Sequence, residues 1–383
     1  MLKYILYFLL IIESLEKSDV YFTKHISPEK IVELFKKLNI ELKGNLGLKV
    51  HTGEKNGPYY LRPSFLKDIY EYTNGTYIET NVAYRGSRYT TESHKELLIL
   101  NGWNEYRTVI MDENEKNDII LKVNNHHQIP ENIVGEHLYD FNSCLVLTHF
   151  KGHGMGCFGG ALKQLGVGFA SRAGKANIHT GGDKGSSISW FKTASQQSFT
   201  ASIVDAASTI VEYFKNKGGI AYINALVNIS KSCDCVGTRA PAPKIRDIGI
   251  LASIDPVAID KACYDLIKKE NNEGSKELIN LAENKLEHTL NFAVEHNLGE
   301  LDYNLINIDI DDNNESNIPK QEPKSEPKKE ETSKPKKSYY TLIIFIIILC
   351  VIIFIIYYAL KKRKSNSLIK NEEIGGSLPV VPV

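Results

Sequence analysis

Apolar and polar positions follow two rhythms along the chain. Short runs rich in β-branched residues have the length and composition of strands: 46–53 (LGLKVHTG), 76–81 (TYIETN), 106–112 (YRTVIMD), 143–150 (SCLVLTHF), 219–229 (GIAYINALVNI) and 247–254 (DIGILASI). Between them, segments 63–72, 90–101, 199–217, 255–269 and 275–296 carry helix-like patterns, and a short helix is expected from about Gly160. This alternation predicts an α/β architecture, a largely parallel sheet with flanking helices, arranged as two lobes.

The two ends of the chain read differently. Residues 1–18 open on MLKYILYFLLII, an apolar run of signal-peptide length that is too short to span a bilayer. Residues 339–360 form a run of 22 without a charge, with tyrosines at both edges, and KKRK follows at once. That pattern predicts a C-terminal transmembrane helix with a cytoplasmic tail over 361–383. Residues 313–338 are rich in proline, lysine and glutamate, too poor in apolar side chains to fold, and read as a disordered stalk. The expectation is therefore a single-pass, type I membrane protein with a lumenal or extracellular domain over 19–312. Sequons at Asn74, Asn228 and Asn314 would make it a glycoprotein. Formal net charge is zero, which gives no electrostatic case for a nucleic-acid partner.

The candidate chemistry concentrates where strand 143–150 ends. The following loop places His149 and His153 four apart and Cys157 four further on, with Lys163, Lys175 and His179 within the next two dozen residues. Imidazole and thiolate together suit a borderline-soft transition metal. The glycines Gly154, Gly156 and Gly159 satisfy GxGxxG, yet no strand ending in an acid lies about 20 residues on, so a dinucleotide site is disfavoured. They serve better as a backbone nest for an anion. A second knot, CDC, holds Cys233 and Cys235, which an extended chain would point to opposite sides and so keep from bridging each other. The folded region has five cysteines, an odd number, so at least one is expected to be free, buried or metal-bound.

Five blocks carry a resemblance: LGLKVHTGEKNGPYYLRPSF, NVAYRGSRYTTESHKELLILNGW, THFKGHGMGCFGGALKQLGVGFASRAGKANIH, CDCVGTRAPAPKIRDIGILASIDPVAIDKACYDLI and NFAVEHNLGELDYNLI. In that order and spacing the chain resembles the domain of unknown function 362 family, in the form that carries a ferredoxin-like insert. Where that insert begins, after His179, this chain has TGGDKGSSISWFKTAS and no cysteine before Cys233, so no iron–sulfur cluster is expected. On motif match the resemblance carries over Lys49, His51, Glu54, Arg62, Arg85, Arg88, His149, Lys151, His153, Lys163, Arg172, Lys175, His179, Cys233, Asp234, Cys235 and Asp255.

Such a set implies a basic pocket with a few soft ligands, in which the loops of three strands converge. His149, His153, Cys233 and Cys235 are candidate metal ligands. Lys49, His51, Arg85, Arg88, Gly154 and Gly156 are candidates for binding a small anionic ligand, and Lys163, Lys175, His179 and Asp255 for catalysis. For the arginines, ion pairing with Glu71, Glu79 or Glu92 is the competing reading. For the whole protein, the alternative is a surface-displayed binding or adhesion module without catalytic activity.

Overall fold

The computed structural model describes residues 17–183, 194–282 and 285–309. In chain order the strands are β1 (Ser18–Thr23), β2 (Leu46–Lys49), β3 (Thr76–Glu79), β4 (Thr108–Ile110), β5 (Ile119–Lys122), β6 (Glu131–Val134), β7 (Ser143–His149), β8 (Gly152–His153), β9 (Cys157–Phe158), β10 (Ile220–Leu226), β11 (Gly249–Ser253) and β12 (Tyr303–Asn307). The helices are α1 (Pro28–Lys37), α2 (Lys67–Thr73), α3 (Thr91–Leu100), α4 (Ala161–Phe169), α5 (Arg172–Thr180), α6 (Gln196–Lys215), α7 (Pro256–Glu270), α8 (Glu273–Ala282) and α9 (Lys285–Glu295).

Helix starts are chemically marked. Ser27 caps α1 ahead of Pro28, and Thr90 exchanges hydrogen bonds with Ser93 to open α3. Each cap satisfies amides that the first turn leaves without partners, typically about 1 kcal/mol. α1, β1 and β12 lie in segments with no strand or helix assigned from the sequence. The single helix expected over 275–296 is two helices, α8 and α9.

Eight strands form one sheet in the order β12-β1-β11-β10-β7-β2-β3-β4. Every neighbouring pair is parallel except those made by β11, which runs antiparallel to both β1 and β10. From β2 the chain moves outward through β3 and β4, returns to β7 in the centre, then moves the other way to β10. The reversal lies between β2 and β7, and the carboxyl ends of strands beside such a reversal open a crevice.

Both faces of the sheet are covered, as central parallel strands require. On one face Cys144, Val146, Tyr222 and Leu251 pack with Leu162, Leu165, Phe214 and Val257 from helices α4, α6 and α7. On the other, Leu145, Leu147, Ile223 and Ile250 pack with Ile31, Leu34 and Ile69 from α1 and α2. The alternation along β7 explains why its seven residues are all buried. The two-lobed arrangement is corrected: one continuous sheet with a core on each face organises the described chain.

The membrane expectation is corrected as well. No helix among the described residues is long and apolar enough to cross a membrane. Even α6, twenty residues long, interrupts its apolar positions with Ser198, Thr200, Ser202 and Asp205, as a helix packed on a sheet does. The segments 339–360, 313–338 and 361–383, and all but the last two residues of 1–18, lie outside the described residues. The transmembrane helix, the membrane partner, the type I topology and the lumenal or extracellular placement are therefore not carried forward. Ser18, expected to end a signal peptide, opens β1, and its hydroxyl donates to Asp255 at 2.6 Å.

Candidate metal and ligand site

A cavity of 270 Å³ opens at the carboxyl ends of β2, β3, β7 and β10. His51 follows β2 and Glu79 ends β3. Lys151 and His153 follow β7, Cys233 and Cys235 follow β10, and α4 and α5 complete the wall. The helices present one side each: Lys163, Gln164, Val167 and Gly168 from α4, and Lys175 and His179, four apart, from α5.

The two halves of the site meet through backbone. The loop after β7 turns back as the hairpin β8–β9, pairing His153 with Cys157. Gly152 N–H donates to the carbonyl of Ser230 at 2.8 Å, and a Cβ at Gly152 would lie 2.4 Å from the carbonyl oxygen of Lys231. Only glycine allows the loop after β10 so close. Cys233 then opens a 3-10 turn over Asp234–Arg239 rather than an extended segment, and Cys235 N–H donates to Cys233 Sγ at 3.3 Å. The turn brings both sulfurs into the same cavity, contrary to the extended geometry expected from the sequence. One donor atom from each of His153, Cys233 and Cys235 lies within 4.8 Å of the others, a group able to hold a metal ion.

The electrostatics favour a thiolate. Cys233 is pulled well below the ordinary thiol range, first by the hydrogen bond from Cys235 and then by Lys163 and His153. Burial and Lys163 lower the pKa of His153, and its Nδ1 accepts the Gly156 N–H at 2.9 Å. That amide of the glycine turn is thus spent on the imidazole, and Gly154 is exposed with open space around it. The GxGxxG match is a β-hairpin, not a phosphate loop.

His149 stands behind the site. Its Nδ1 meets Asp234 at 2.9 Å and its Nε2 meets the Val227 carbonyl at 2.7 Å, which engages both nitrogens. Lys151 Nζ reaches the same carboxylate at 3.1 Å. Burial alone would raise the Asp234 pKa, but His149 and Lys151 hold it well below the carboxylate range.

Beneath the cavity lies a buried ion network. Lys49, fully buried, contacts Glu79 at 2.8 Å, and Arg88 reaches Glu79 at 3.4 Å and Glu54 at 2.7 Å. Burial would raise the Glu79 pKa, yet Lys49 and Arg88 keep it far below its usual range. Arg88 also contacts His51 Nε2 at 3.1 Å, and burial together with that guanidinium lowers the His51 pKa to about 3. Behind the network, neutral His94 links Thr52 Oγ1 at 3.2 Å to Asn81 at 3.0 Å.

Of the sequence candidates, His51, Arg88, His153, Lys163, Lys175, His179, Cys233 and Cys235 line the cavity. Lys49 supports it from below, and Gly156 orients His153. Arg85 is exposed and does not line it. Asp255 lies elsewhere: it follows the reversed strand β11, so it emerges beyond the amino ends of the parallel strands, at the opposite end from the cavity. There it caps α7, accepting from Val257 and Ala258 N–H at 2.8 and 2.9 Å. Sequence reasoning gave no role to Tyr84, Gln164 or Met155 in the wall, and treated Glu79 only as an ion-pair partner. An acid ending the strand next to an internal lysine was the available signal for Glu79. The five cysteines of the described region are all free, and burial pushes the thiols of Cys144, Cys157 and Cys263 up.

No curated protein matches the chain. Among solved structures, a Thermotoga maritima protein determined by the Northeast Structural Genomics Consortium is 15% identical with a TM-score of 0.38, over 70% of this chain and 59% of that one. The lactate racemase apoprotein from Thermoanaerobacterium thermosaccharolyticum is 14% identical with a TM-score of 0.33, over 54% of this chain and 50% of that one. The chain thus spans less than two thirds of either structure's length. The sequence profile described as Domain of unknown function (DUF362) matches residues 46–265. That match covers more than half of the sequence and every strand end that lines the cavity, and the chain belongs to the DUF362 family.

Proposed function

We propose that the protein binds one transition-metal ion through His153, Cys233 and Cys235, and beside it a small anionic ligand held by the cavity's lysines. The observation that carries the reading is the convergence of one imidazole and two sulfurs within 4.8 Å, from the loops that follow the neighbouring strands β7 and β10. Three protein ligands leave a coordination position open to the cavity, the arrangement of metal sites that take up a substrate or water. Among the described residues Lys163 lines the cavity without a carboxylate partner, placed to meet the carboxylate of a ligand. At 270 Å³ the cavity falls just below the range of about 300–1,000 Å³ usual for drug-sized ligands, which points to a small one.

The test is elemental analysis of protein purified under reducing conditions, followed by thermal unfolding with added small carboxylates. About one equivalent of metal, and stabilisation by the anion that is lost in Lys163→Met, are expected. Absence of metal uptake would remove the coordination half of the reading. Stabilisation unaffected by Lys163→Met would remove the anion half.

A further inference from the structure

We propose that Lys175 is a nucleophilic amine that condenses with the carbonyl group of a small oxo-carboxylic acid bound in the cavity. This deepens the proposed ligand reading and rests on its anionic half, not on the metal.

The geometry around Nζ is the first argument. Lys175 is buried on α5 and donates to the Ala170 carbonyl at 2.6 Å and to Thr80 Oγ1. Thr80 Oγ1 spends its own hydrogen on the Gly168 carbonyl at 2.9 Å, so toward Lys175 it can only accept. Two acceptors therefore take two N–H hydrogens. A neutral amine has two such hydrogens and one lone pair, whereas an ammonium has three hydrogens, and the third finds no acceptor among the described residues. With both hydrogens held, the remaining tetrahedral position of the nitrogen is left for the cavity that Lys175 lines.

Burial supports the same state. Among the described residues no carboxylate hydrogen-bonds Lys175; Asp112 and Glu79 favour its charged form from a distance, whereas Lys49 and Arg88 oppose it. Burial outweighs the two carboxylates and lowers the pKa to about 7, so a neutral fraction is present at neutral pH. Lys163 in the same cavity, without a carboxylate partner among the described residues, supplies the cation for the ligand's carboxylate. An amine nucleophile and a carboxylate anchor in one small cavity define the ligand class.

The step balances without a redox partner. Nζ attacks the carbonyl carbon to form a C–N bond, the carbonyl oxygen leaves as water with the two amine hydrogens, and an imine remains. Once protonated, that imine keeps one N–H for Thr80 or Ala170.

The experiment uses the full chain stripped of metal with a chelator, with pyruvate or glyoxylate as the probe and cyanoborohydride to reduce any imine, followed by peptide mass mapping. The expected result is one alkylated lysine, Lys175, with a trapping rate half-maximal near pH 7. Exposed lysines, which titrate near 10.4, should react at least about tenfold more slowly at pH 7. Lys175→Arg should abolish the adduct. Lys163→Met should remove the preference for pyruvate over acetone while leaving Lys175 reactive, which reads the anchor even if the Lys175 variant does not fold. Adducts spread over exposed lysines, or none at Lys175, would overturn the proposal. Because metal is absent throughout, that failure leaves the metal reading untouched.

Discussion

His149 Nδ1 lies 2.9 Å from a carboxylate oxygen of Asp234, joining the end of β7 to the middle of the CDC turn across 85 residues of sequence. Asp234 stands between the two cysteines, so the bond that holds its carboxylate under the site turns the sulfurs on either side toward the cavity.

Asp234→Asn should therefore act twice. It removes the charge that pairs His149 and Lys151 in a buried place, a loss of about 3–5 kcal/mol. It also loosens the cysteines that it positions, weakening metal binding by about 10–100-fold. The pH dependence has a definite sign. Asp234 is held below its unfolded value near 3.9, so its stabilisation is fully present above that pH and is lost as pH falls toward the folded value. Urea unfolding from about pH 5 down to about pH 2 should show a steeper acid loss in the parent protein than in the variant.

Metal uptake should release about one proton at neutral pH. Cys235, Lys163 and His153 pull the Cys233 thiol well below its ordinary range while Cys233 pushes Cys235 up, so the expected proton is the one on Cys235. Calorimetric titrations in buffers of different ionisation enthalpy measure this number. Release of two protons would show that both thiols are protonated before binding.

Glu79→Leu should be among the most destabilising single changes in the site. It leaves Lys49 and Arg88 buried, with Lys49 deprived of its carboxylate partner, at a loss of about 3–5 kcal/mol. Lys49→Met in the same background should recover part of that loss, because it removes the stranded charge. Denaturant midpoints of the single and double variants decide it.

Two glycines of the same loop should behave oppositely. A Cβ at Gly160 would lie 2.4 Å from the Asp260 carboxylate that receives the Ala161 and Leu162 amides at the start of α4. Gly160→Ala should cost about 1–3 kcal/mol through that overlap. A Cβ at Gly154 would meet nothing within 4 Å among the described residues, and Gly154→Ala should stay within about 0.5 kcal/mol. Thermal unfolding of the pair separates crowding from a general need for glycine.

The main strands were legible because each is a short apolar run of the kind that a sheet covered on both faces demands; all seven residues of β7 are buried. β1 and β12 were not, since β1 mixes Asp19 into a six-residue run and β12 is largely exposed at the sheet edge. Most cavity residues could be named from the chemistry of their side chains. Their grouping could not, because it depends on strand direction and on local turns. The reversal of β11 carries Asp255 away, and the turn at Cys233 brings both sulfurs together. His149 shows the same limit. Its spacing from His153 matched a ligand pair, yet its nitrogens are committed to Asp234 and Val227.

The most direct measurement is a cobalt(II) titration of the reduced full-length protein, read by absorption, since thiolate coordination to cobalt gives intense near-ultraviolet charge-transfer bands. The account predicts saturation near one equivalent with those bands present. Cys233→Ser should reduce their intensity to about that of a single thiolate and His153→Ala should weaken the affinity about 10–100-fold, while replacing His288, exposed on α9, changes nothing. A protein that takes up no cobalt, or that shows the same spectrum after Cys233→Ser, would contradict it.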